Sequence, residues 1–472
     1  MSQKDFTIDN GTGAAVRVDI QESFQALATN SSGGSAPATN YASQFFANTS
    51  TSIMQINNTS GNAFINLFTL AGGPAFPVDG TINSINIGKG TNSLSGNCVF
   101  GESALDGASL SGTNNTAIGK SVLDATTSGQ TNTGVGMQSL TANTTGSDNN
   151  GFGVNSLLVN TTGNSNVAVG RSSLAANTEG SNNVAVGHQA LTTNTTAANN
   201  VAVGFQALNL NETGTDNVAL GANALDANTT ASDNTAVGDN ALGVNTTGAS
   251  NTAVGSAALD ANLTGNFNQA MGVGALGANT SGLNNVALGH AAIAANQTAN
   301  NNTGVGYQAL TNATGTQNTA LGSTAGDLTT TGTNNTSIGF GSDPSSNSAS
   351  NEVTLGNSSI SALRCQVDLT ILSDRRDKTN IIDIPTGLDF INILKPRQFE
   401  WKTREGVPNK DGTVRAGFIA QELQEAQKGS EYLNLVYESN PEKLEATYGN
   451  LIPVLVKAVQ ELSAKVTALE AG

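Results

Sequence analysis

The stretch Asn200-Val201-Ala202-Val203-Gly204-Phe205-Gln206-Ala207-Leu208 decides the fold, because its pattern returns every 17 residues. Glycine recurs at this spacing from Gly119 to Gly306, and after one 16-residue step it recurs at Gly322, Gly339 and Gly356. With the glycine as position 0, position −1 is apolar throughout. Up to Gly306, position −4 is asparagine and position +4 is leucine or isoleucine. This period indicates stacked supersecondary units, not an ordinary enzyme core.

The residue types in each repeat favour strands over helices. β-Branched residues precede the glycine, and Asn, Thr and Gly are dense where the chain must turn. Seventeen residues are too few for a helix pair but fit one coil of a β-solenoid. At about 4.8 Å per coil, the array predicts a rod on the order of 70 Å long. We expect the −4 asparagines to stack as an amide ladder and the glycines to stand where a Cβ atom is not tolerated.

Each coil has few residues with which to build a core. Only positions −1 and +4 supply large apolar side chains, which is little for a free-standing coil. The sequence therefore predicts several chains sharing one core, and we infer a homotrimer.

Composition narrows the class of protein. The 472 residues include 54 glycines, only 11% are charged, and the net charge is −16. An acidic rod is unsuited to nucleic acid. No apolar run is long enough for membrane insertion, and no signal peptide is recognisable, so we expect synthesis in a cytoplasm. Two distant cysteines, Cys98 and Cys365, predict neither a disulfide framework nor a metal site, and no cofactor is expected.

Residues 1–70 differ from the repeat and are predicted to form a small α+β attachment module. Apolar spacing predicts a helix from Val16 to Leu27, and a hairpin is predicted with strands at 53–56 and 64–68 around a turn at 57–62. The helix, the linker at 36–41 and the hairpin resemble the N-terminal modules of bacteriophage tail fibres, which implies docking onto virion tail or adaptor proteins. A cap over the solenoid edge is the alternative. Residues 71–118 are a transition segment with partial echoes of the motif.

The array at 119–356 resembles the head repeats of trimeric autotransporter adhesins, which share its Asn-x-Ala-Val/Ile-Gly motif. The resemblance implies a trimeric β-roll and says little about function. Asn-x-Thr sequons such as Asn143-Thr144-Thr145 fall at a turn of each coil. His188 and His290 occupy the same position six coils apart, so they cannot share a metal ion and are interpreted as surface residues.

Residues 357–372 are predicted to form a terminal neck. From Leu363 to Ile371, apolar and polar residues alternate strictly, which is typical of one amphipathic strand. On this prediction Cys365 is a small buried apolar residue.

Residues 373–472 have the patterning of an α+β domain. We predict a helix at 388–394, strands at 398–402 and 414–419, and a helix beginning at Gln421. A heptad pattern then predicts a short coiled coil, formed by Ile452, Leu455, Val459, Leu462, Val466 and Leu469.

Four motifs in this domain resemble the intramolecular chaperone of endosialidase-type phage fibres. They are Ser373-Asp374-x-Arg376-x-Lys378 with Asn380-Ile381, Phe399-x-Trp401-Lys402, the Gly417-to-Leu423 segment, and Tyr448 followed by the terminal helix. The resemblance implies a domain that templates trimerisation of a β-rich stalk and then cuts itself off before the motif serine. Carried over, the cut falls between Leu372 and Ser373.

The residues also limit the chemistry of such a cut. No histidine follows His290, so a Ser-His-Asp triad within the domain is excluded, and a Ser373–Lys378 pair remains. Because positions five apart diverge on a strand or helix, the pair needs a turn or a lysine from a neighbouring subunit. The candidate catalytic residues are Ser373, Lys378, Arg376 and Asp374. The alternative is a capped turn with solvated basic side chains.

Together these patterns predict a mainly β, homotrimeric fibre. We expect a bacteriophage tail fibre that is made in the host cytoplasm, located in the virion and bound to a host-surface receptor of glycan type. A bacterial trimeric adhesin and a glycan-degrading tailspike are the alternatives. Apart from the single self-cleavage, no catalytic activity is predicted.

Overall fold

A computed structural model describes residues 85–360, 362–366, 373–400, 414–438, 441–442 and 444–472, together with the strand backbone at 32–33, 45–48, 53–57, 64–69 and 80–82. The chain forms two compact units, Met1–Thr230 and Ala231–Gly472. The fold is mainly β, as predicted, and the α-helices of the described residues lie in the last hundred residues.

A small sheet precedes the repeats. Ser32–Gly33 pairs in parallel with Phe45–Asn48, which pairs antiparallel with Ile53–Asn57, and this strand in turn pairs antiparallel with Phe64–Thr69. The predicted hairpin is therefore confirmed, and two further strands extend its sheet on one side. The predicted helix at 16–27 and the linker at 36–41 lie outside the described residues.

The repeats form a β-solenoid in which each coil contributes one three-residue strand. In the first unit these strands are Thr116–Ile118, Thr133–Val135, Asn150–Phe152, Val167–Val169, Val184–Val186, Val201–Val203 and Val218–Leu220. In the second they are Thr235–Val237, Thr252–Val254, Gln269–Met271, Val286–Leu288, Thr303–Val305, Thr319–Leu321, Thr336–Ile338 and Val353–Leu355. Within each unit, neighbours pair in parallel with equivalent residues opposite one another, as at Ala185 and Ala202.

The parallel ladder begins before the first regular repeat. Cys98–Gly101 pairs in parallel with Thr116–Ile118, so the echo of the motif at Asn97 already forms a coil. Ile85–Gly88 then pairs antiparallel with Cys98–Gly101, and Gly80–Ile82 pairs antiparallel with Ile85–Gly88. This hairpin covers the edge of the first coil, which would otherwise present unpaired backbone groups to another chain.

The glycine at position 0 is required by both backbone conformation and space. Gly272 has φ +137°, and a Cβ atom there would lie 2.4 Å from the carbonyl oxygen of Gly289 in the next coil. Gly170 and Gly204 have the same left-handed conformation and the same collision with the following coil. The prediction that no Cβ is tolerated at this position is confirmed.

The two large apolar positions of each coil differ in burial within the single chain. Leucine at +4 is fully buried, as expected, but the −1 side chains point outward, and Phe152 is 41% and Met271 52% exposed. Successive residues of a strand face opposite sides, so burial of the alanine at −2 turns its neighbour outward. Alanine fits the narrow interior, which leaves an apolar row along the outside of the coils in each unit.

Two asparagine ladders also run through the interior of the coils. In the predicted one, the backbone N–H of Asn200 donates to Asn183 Oδ1 at 3.0 Å and Asn200 Nδ2 donates to the carbonyl of Gly214 at 2.9 Å. The second ladder, at position +7, is not among the sequence-based predictions. There Asn177 Nδ2 donates to Asn160 Oδ1 at 2.7 Å and to the carbonyl of Gly180 at 3.0 Å. Both rows give buried amides partners in their own and neighbouring coils.

The second ladder explains the sequons. Asn143 and Asn160 head Asn-x-Thr sequences, yet both side chains are fully buried. Their amides are occupied by hydrogen bonds to each other and to the backbone of their own turns. These asparagines therefore have a structural role in the folded coil.

Asn211→Ala is expected to reduce the free energy of unfolding by about 2–3 kcal/mol. Asn211 is fully buried, donates to Gly214 O at 2.9 Å and accepts from Asn228 Nδ2 at 2.7 Å. Its loss leaves buried partners unsatisfied. The matched control is Asn209→Ala two residues earlier, at a half-buried position where another coil has Ala175. Its expected effect is under about 0.5 kcal/mol. Denaturant unfolding measures both, and equal effects would contradict the ladder's role.

The terminal neck differs from the sequence prediction. Residues 362–366 form no strand, and Leu363 and Cys365 are exposed. An amphipathic strand buries its apolar face only against a partner, and the described residues of this chain provide none for this segment. The remainder of the predicted strand, at 367–371, lies outside the described residues.

The described part of the C-terminal segment contains three α-helices, α1 at Leu388–Ile393, α2 at Ala420–Ala426 and α3 at Leu451–Ala471. Arg397–Phe399 pairs antiparallel with Arg415–Gly417, and Val436–Tyr437 with Glu445–Ala446. The helices and strands predicted here are confirmed within a few residues, although Trp401 and Lys402 lie outside the described residues. A small core holds them together, formed by Phe390, Leu423, Leu433, Leu435, Val436, Leu451 and Val454.

Candidate functional site

The candidate site begins with a turn held by Asp374. Asp374 Oδ1 accepts a hydrogen bond from the backbone N–H of Arg376 at 2.8 Å, which caps a single 3₁₀ turn at Arg375–Asp377. A short acidic side chain in this position satisfies a backbone N–H that has no partner within the turn. The turn ends where the N–H of Lys378 donates to the carbonyl of Arg375 at 3.2 Å.

The turn brings the predicted pair together. Lys378 Nζ donates a hydrogen bond to Ser373 Oγ within the same chain. Of the two routes left open by the sequence, a local turn and a lysine from a neighbouring subunit, this structure contains the local turn. The contact places an amine beside the hydroxyl that it would have to deprotonate. Leu372, on the other side of the predicted cut, lies outside the described residues.

Asp374 and Arg376 form the second pair of the site. Arg376 Nη2 lies 2.6 Å from Asp374 Oδ2, and Arg376 Nε lies 3.1 Å from each carboxylate oxygen. The hydrogen bonds from the Arg376 side chain and then from its backbone N–H lower the pKa of Asp374, and the same pairing raises the pKa of Arg376. These two residues contact each other and support the turn, whereas Ser373 and Lys378 contact each other directly.

The stability of the turn should fall in acid. The pKa of Asp374 is below its ordinary value of 3.8 in the folded chain, so the contribution of its carboxylate is present above that value and is lost as the pH falls through the lower folded pKa. We expect Arg376→Gln to move the Asp374 titration midpoint upward, toward 3.8. Carboxyl-carbon NMR measures this midpoint, and Arg375→Gln in the same turn is the control. An unchanged midpoint in Arg376→Gln would rule out the pairing.

The solvent exposure of the Ser373–Lys378 pair limits its chemistry in the single chain. Every residue from Ser373 to Asn380 is exposed in the single chain. A lysine acts as a general base only after losing its proton, and removal of the amine from water favours that loss. Serine and lysine are therefore in contact, but within the described chain nothing covers them.

A hydrogen bond between α3 and the start of α1 stabilises the domain that follows the site. Glu461 on α3 accepts a hydrogen bond from the N–H of Leu388 at 2.7 Å and so caps α1 from a distant part of the chain. Gly387 makes room for it, because a Cβ atom there would lie 2.4 Å from Glu461 Oε2. The sequence gives no local signal for this cap.

The Gly417-to-Leu423 motif and Tyr448 meet in the fold. Tyr448 Oη accepts from the N–H of Phe418 at 3.0 Å and lies 3.2 Å from its carbonyl, and the two rings pack edge to face at 5.7 Å. A Cβ atom on Gly417 would lie 2.7 Å from Tyr448 Oη. Glu422 of the same motif pairs with Arg397, whose Nε lies 2.9 Å from Glu422 Oε2. The pairing lowers the pKa of Glu422.

The predicted heptad positions on α3 point away from the core. Leu451, Val454 and Ala458 are buried, whereas every predicted heptad residue is exposed, with Ile452 62%, Val459 65% and Leu469 81% exposed. The helix therefore has two apolar faces, of which one is used within the chain.

The two histidines are surface residues, as predicted. His188 stacks on Phe205 with ring centroids 5.7 Å apart, and His290 stacks on Tyr307 at 5.4 Å, each one coil further along. Among the described residues no group of three or more His, Cys, Asp and Glu side chains is arranged to hold a metal ion. In that same part of the chain, no helix combines the length and apolar character needed to span a membrane.

Comparison with known proteins bears on the segment that begins at the serine. Residues 373–431 match the Peptidase_S74 family model, described as chaperone of endosialidase. The match starts at Ser373 and supports the resemblance over this segment, which is well under half of the chain. No curated protein and no solved structure matches the chain.

Proposed function

We propose that this chain is a fibre protein of the phage tail-fibre type, whose C-terminal domain templates assembly and then separates by self-cleavage between Leu372 and Ser373. The observation that carries the proposal is the hydrogen bond from Lys378 to Ser373 at the first residue of a segment similar to the endosialidase chaperone. The β-solenoid before it is the kind of stalk that such a chaperone would serve.

The proposed cut uses the chain's own serine. Ser373 Oγ attacks the carbonyl carbon of Leu372, and the hydroxyl proton passes to Lys378 Nζ. The tetrahedral species then releases the Ser373 amine, which takes up a proton, and leaves Leu372 as an ester on Oγ. Water hydrolyses that ester to the Leu372 carboxylate and restores the hydroxyl. Asp374 and Arg376 position the turn throughout.

Three copies are proposed for the working assembly. In each unit the −1 positions form an apolar row on the outside of the coils, and the heptad face of α3 is exposed as well. The −1 row runs along the coils of each unit, and the heptad face runs along α3. Continuous apolar surfaces of this kind are expected where copies of the same chain pack together.

Assembly would also activate the cut. Burial of the exposed Ser373–Lys378 pair between copies would remove the lysine from water and favour its neutral form. Cleavage would then follow correct assembly, and the solenoid coils, whose pairing is repetitive and open to register slips, would remain trapped after release.

The remaining roles belong to the fibre. We propose that the N-terminal module docks on virion tail or adaptor proteins, that the fibre binds a glycan-type receptor on the host surface, and that the protein is made in the host cytoplasm and located in the virion. The low charge and the rows of exposed Asn, Thr and Ser on the coils suit a polar, uncharged ligand.

Mass spectrometry and sedimentation of the full-length protein test the proposal. We expect two fragments separated between Leu372 and Ser373, and an assembled mass corresponding to three chains. Ser373→Ala should give intact chains in assemblies of the same stoichiometry. An intact, monomeric wild-type protein would contradict the proposed function.

A further inference from the structure

One departure of the last coil from the repeat pattern is at position −4. Four residues before Gly356, where the earlier coils have asparagine, stands Glu352. Its backbone still continues the ladder, because the N–H of Glu352 donates to Asn335 Oδ1 at 3.1 Å and its carbonyl accepts from the N–H of Thr336 at 2.8 Å. The change therefore concerns only what the side chain offers.

The Glu352 carboxylate closes the turn of its own coil. It accepts hydrogen bonds from the backbone N–H of Ser345 at 2.7 Å and from Ser345 Oγ at 2.6 Å. A carboxylate has several acceptor sites and no donor, so it can hold this turn and accept further hydrogen bonds. Ser345 and Glu352 are seven residues apart, so this contact depends on the fold of the segment between them.

A third donor to the same carboxylate comes from the C-terminal domain. Tyr437 Oη donates to Glu352 Oε1. Tyr437 is well positioned, since it lies on the Val436–Tyr437 strand, next to buried Val436, and the preceding Leu435 is anchored by its N–H to Gln427 Oε1 at 2.8 Å. A hydrogen bond to a charged acceptor is stronger than one between neutral groups.

We propose that Tyr437 and Glu352 form a docking contact through which the C-terminal domain binds the completed last coil of the solenoid. Glu352 presents the acceptor, Ser345 orients it, and the domain core holds the tyrosine against it. The domain thereby stabilises the terminal coil, whose outer edge pairs with no further coil among the described residues. This contact concerns the attached domain and is independent of the cut.

Hydrogen exchange of backbone amides in the last coil tests the contact. All chains are full-length and carry Ser373→Ala, so that the C-terminal domain stays attached even if the wild-type chain cleaves itself. Tyr437→Phe removes one hydroxyl and should raise exchange of backbone amides at 336–355 by at least about 10-fold, as expected for loss of a hydrogen bond to a charged group. Tyr432→Phe is the matched control, because its hydroxyl contacts Thr386 inside the domain. It should leave these amides unchanged.

A second variant separates docking from a general loosening of the domain. With Glu352→Ala already present, Tyr437→Phe should change exchange less than about twofold, because the hydroxyl's acceptor is gone. Effects that add independently in the double variant would overturn the proposal. So would unchanged exchange in Tyr437→Phe alone, whatever the outcome of the cleavage experiment.

Discussion

Gly272→Ala is expected to lower the free energy of unfolding by about 3–5 kcal/mol, whereas Gly274→Ala, two residues later in the same coil, should cost no more than about 1 kcal/mol. At Gly272 the φ is +137°, and an added Cβ atom would lie 2.4 Å from the carbonyl oxygen and 2.5 Å from the carbonyl carbon of Gly289. The blocking atoms belong to the backbone of Gly289, which is hydrogen-bonded within the coil ladder. They can therefore move away only if those hydrogen bonds break.

Gly274 is the appropriate control because it shares the positive φ without the obstruction. Its φ is +64° and no atom lies within 4 Å of the position of an added Cβ. Other coils already place alanine, asparagine or glutamine there with φ between 52° and 59°, as at Ala257. Denaturant unfolding, with protease digestion to locate the damaged coil, measures both variants. Equal losses would mean that conformation alone, and not close packing of coils, accounts for the repeated glycine.

Lys378→Met is expected to slow self-cleavage by at least about 100-fold, the contribution typical of a general base. Lys378→Arg should be as inactive, because a guanidinium keeps its positive charge and cannot accept the hydroxyl proton. The arginine variant thus separates proton transfer from charge or packing. Arg375→Met, in the same exposed turn, should cut within about threefold of the wild-type rate. The fraction of cut chains over time, read by mass spectrometry, gives all four rates.

Mixed assemblies extend this prediction to the source of the lysine. Because Lys378 contacts Ser373 of its own chain, mixing Ser373→Ala chains with Lys378→Ala chains should give no cutting. Rescue of cutting in the mixture would instead assign the lysine to a neighbouring chain. Sedimentation confirms in both cases that assemblies of the expected mass have formed, so a loss of cutting is not mistaken for a loss of assembly.

Much of the fold followed from the 17-residue period. A strict repeat can be satisfied only by units that stack with equivalent residues in contact, so the period predicted the solenoid, the in-register strands and the asparagine ladder at position −4. The same reasoning assigned the glycine at position 0, because a residue repeated without exception at a turn indicates a Cβ that has no room. In the C-terminal domain, ordinary helical and strand patterns located α1, α2 and α3 to within a few residues.

The tertiary structure decided what lies inside each coil and what reaches the site. The alternation of residues along a strand does not say which of its two faces is buried. Only the folded coil shows that the −1 residues point outward and that alanine and the second asparagine ladder are enclosed. Nor does local pattern encode contacts between distant residues, such as Glu461 capping α1 or Tyr437 reaching Glu352. The sequence alone determined the repeat and its register, because neighbouring coils interact identically. The turn that joins Lys378 to Ser373 is held locally by Asp374 and Arg376, whereas the domain that follows depends on packing between segments that no period relates.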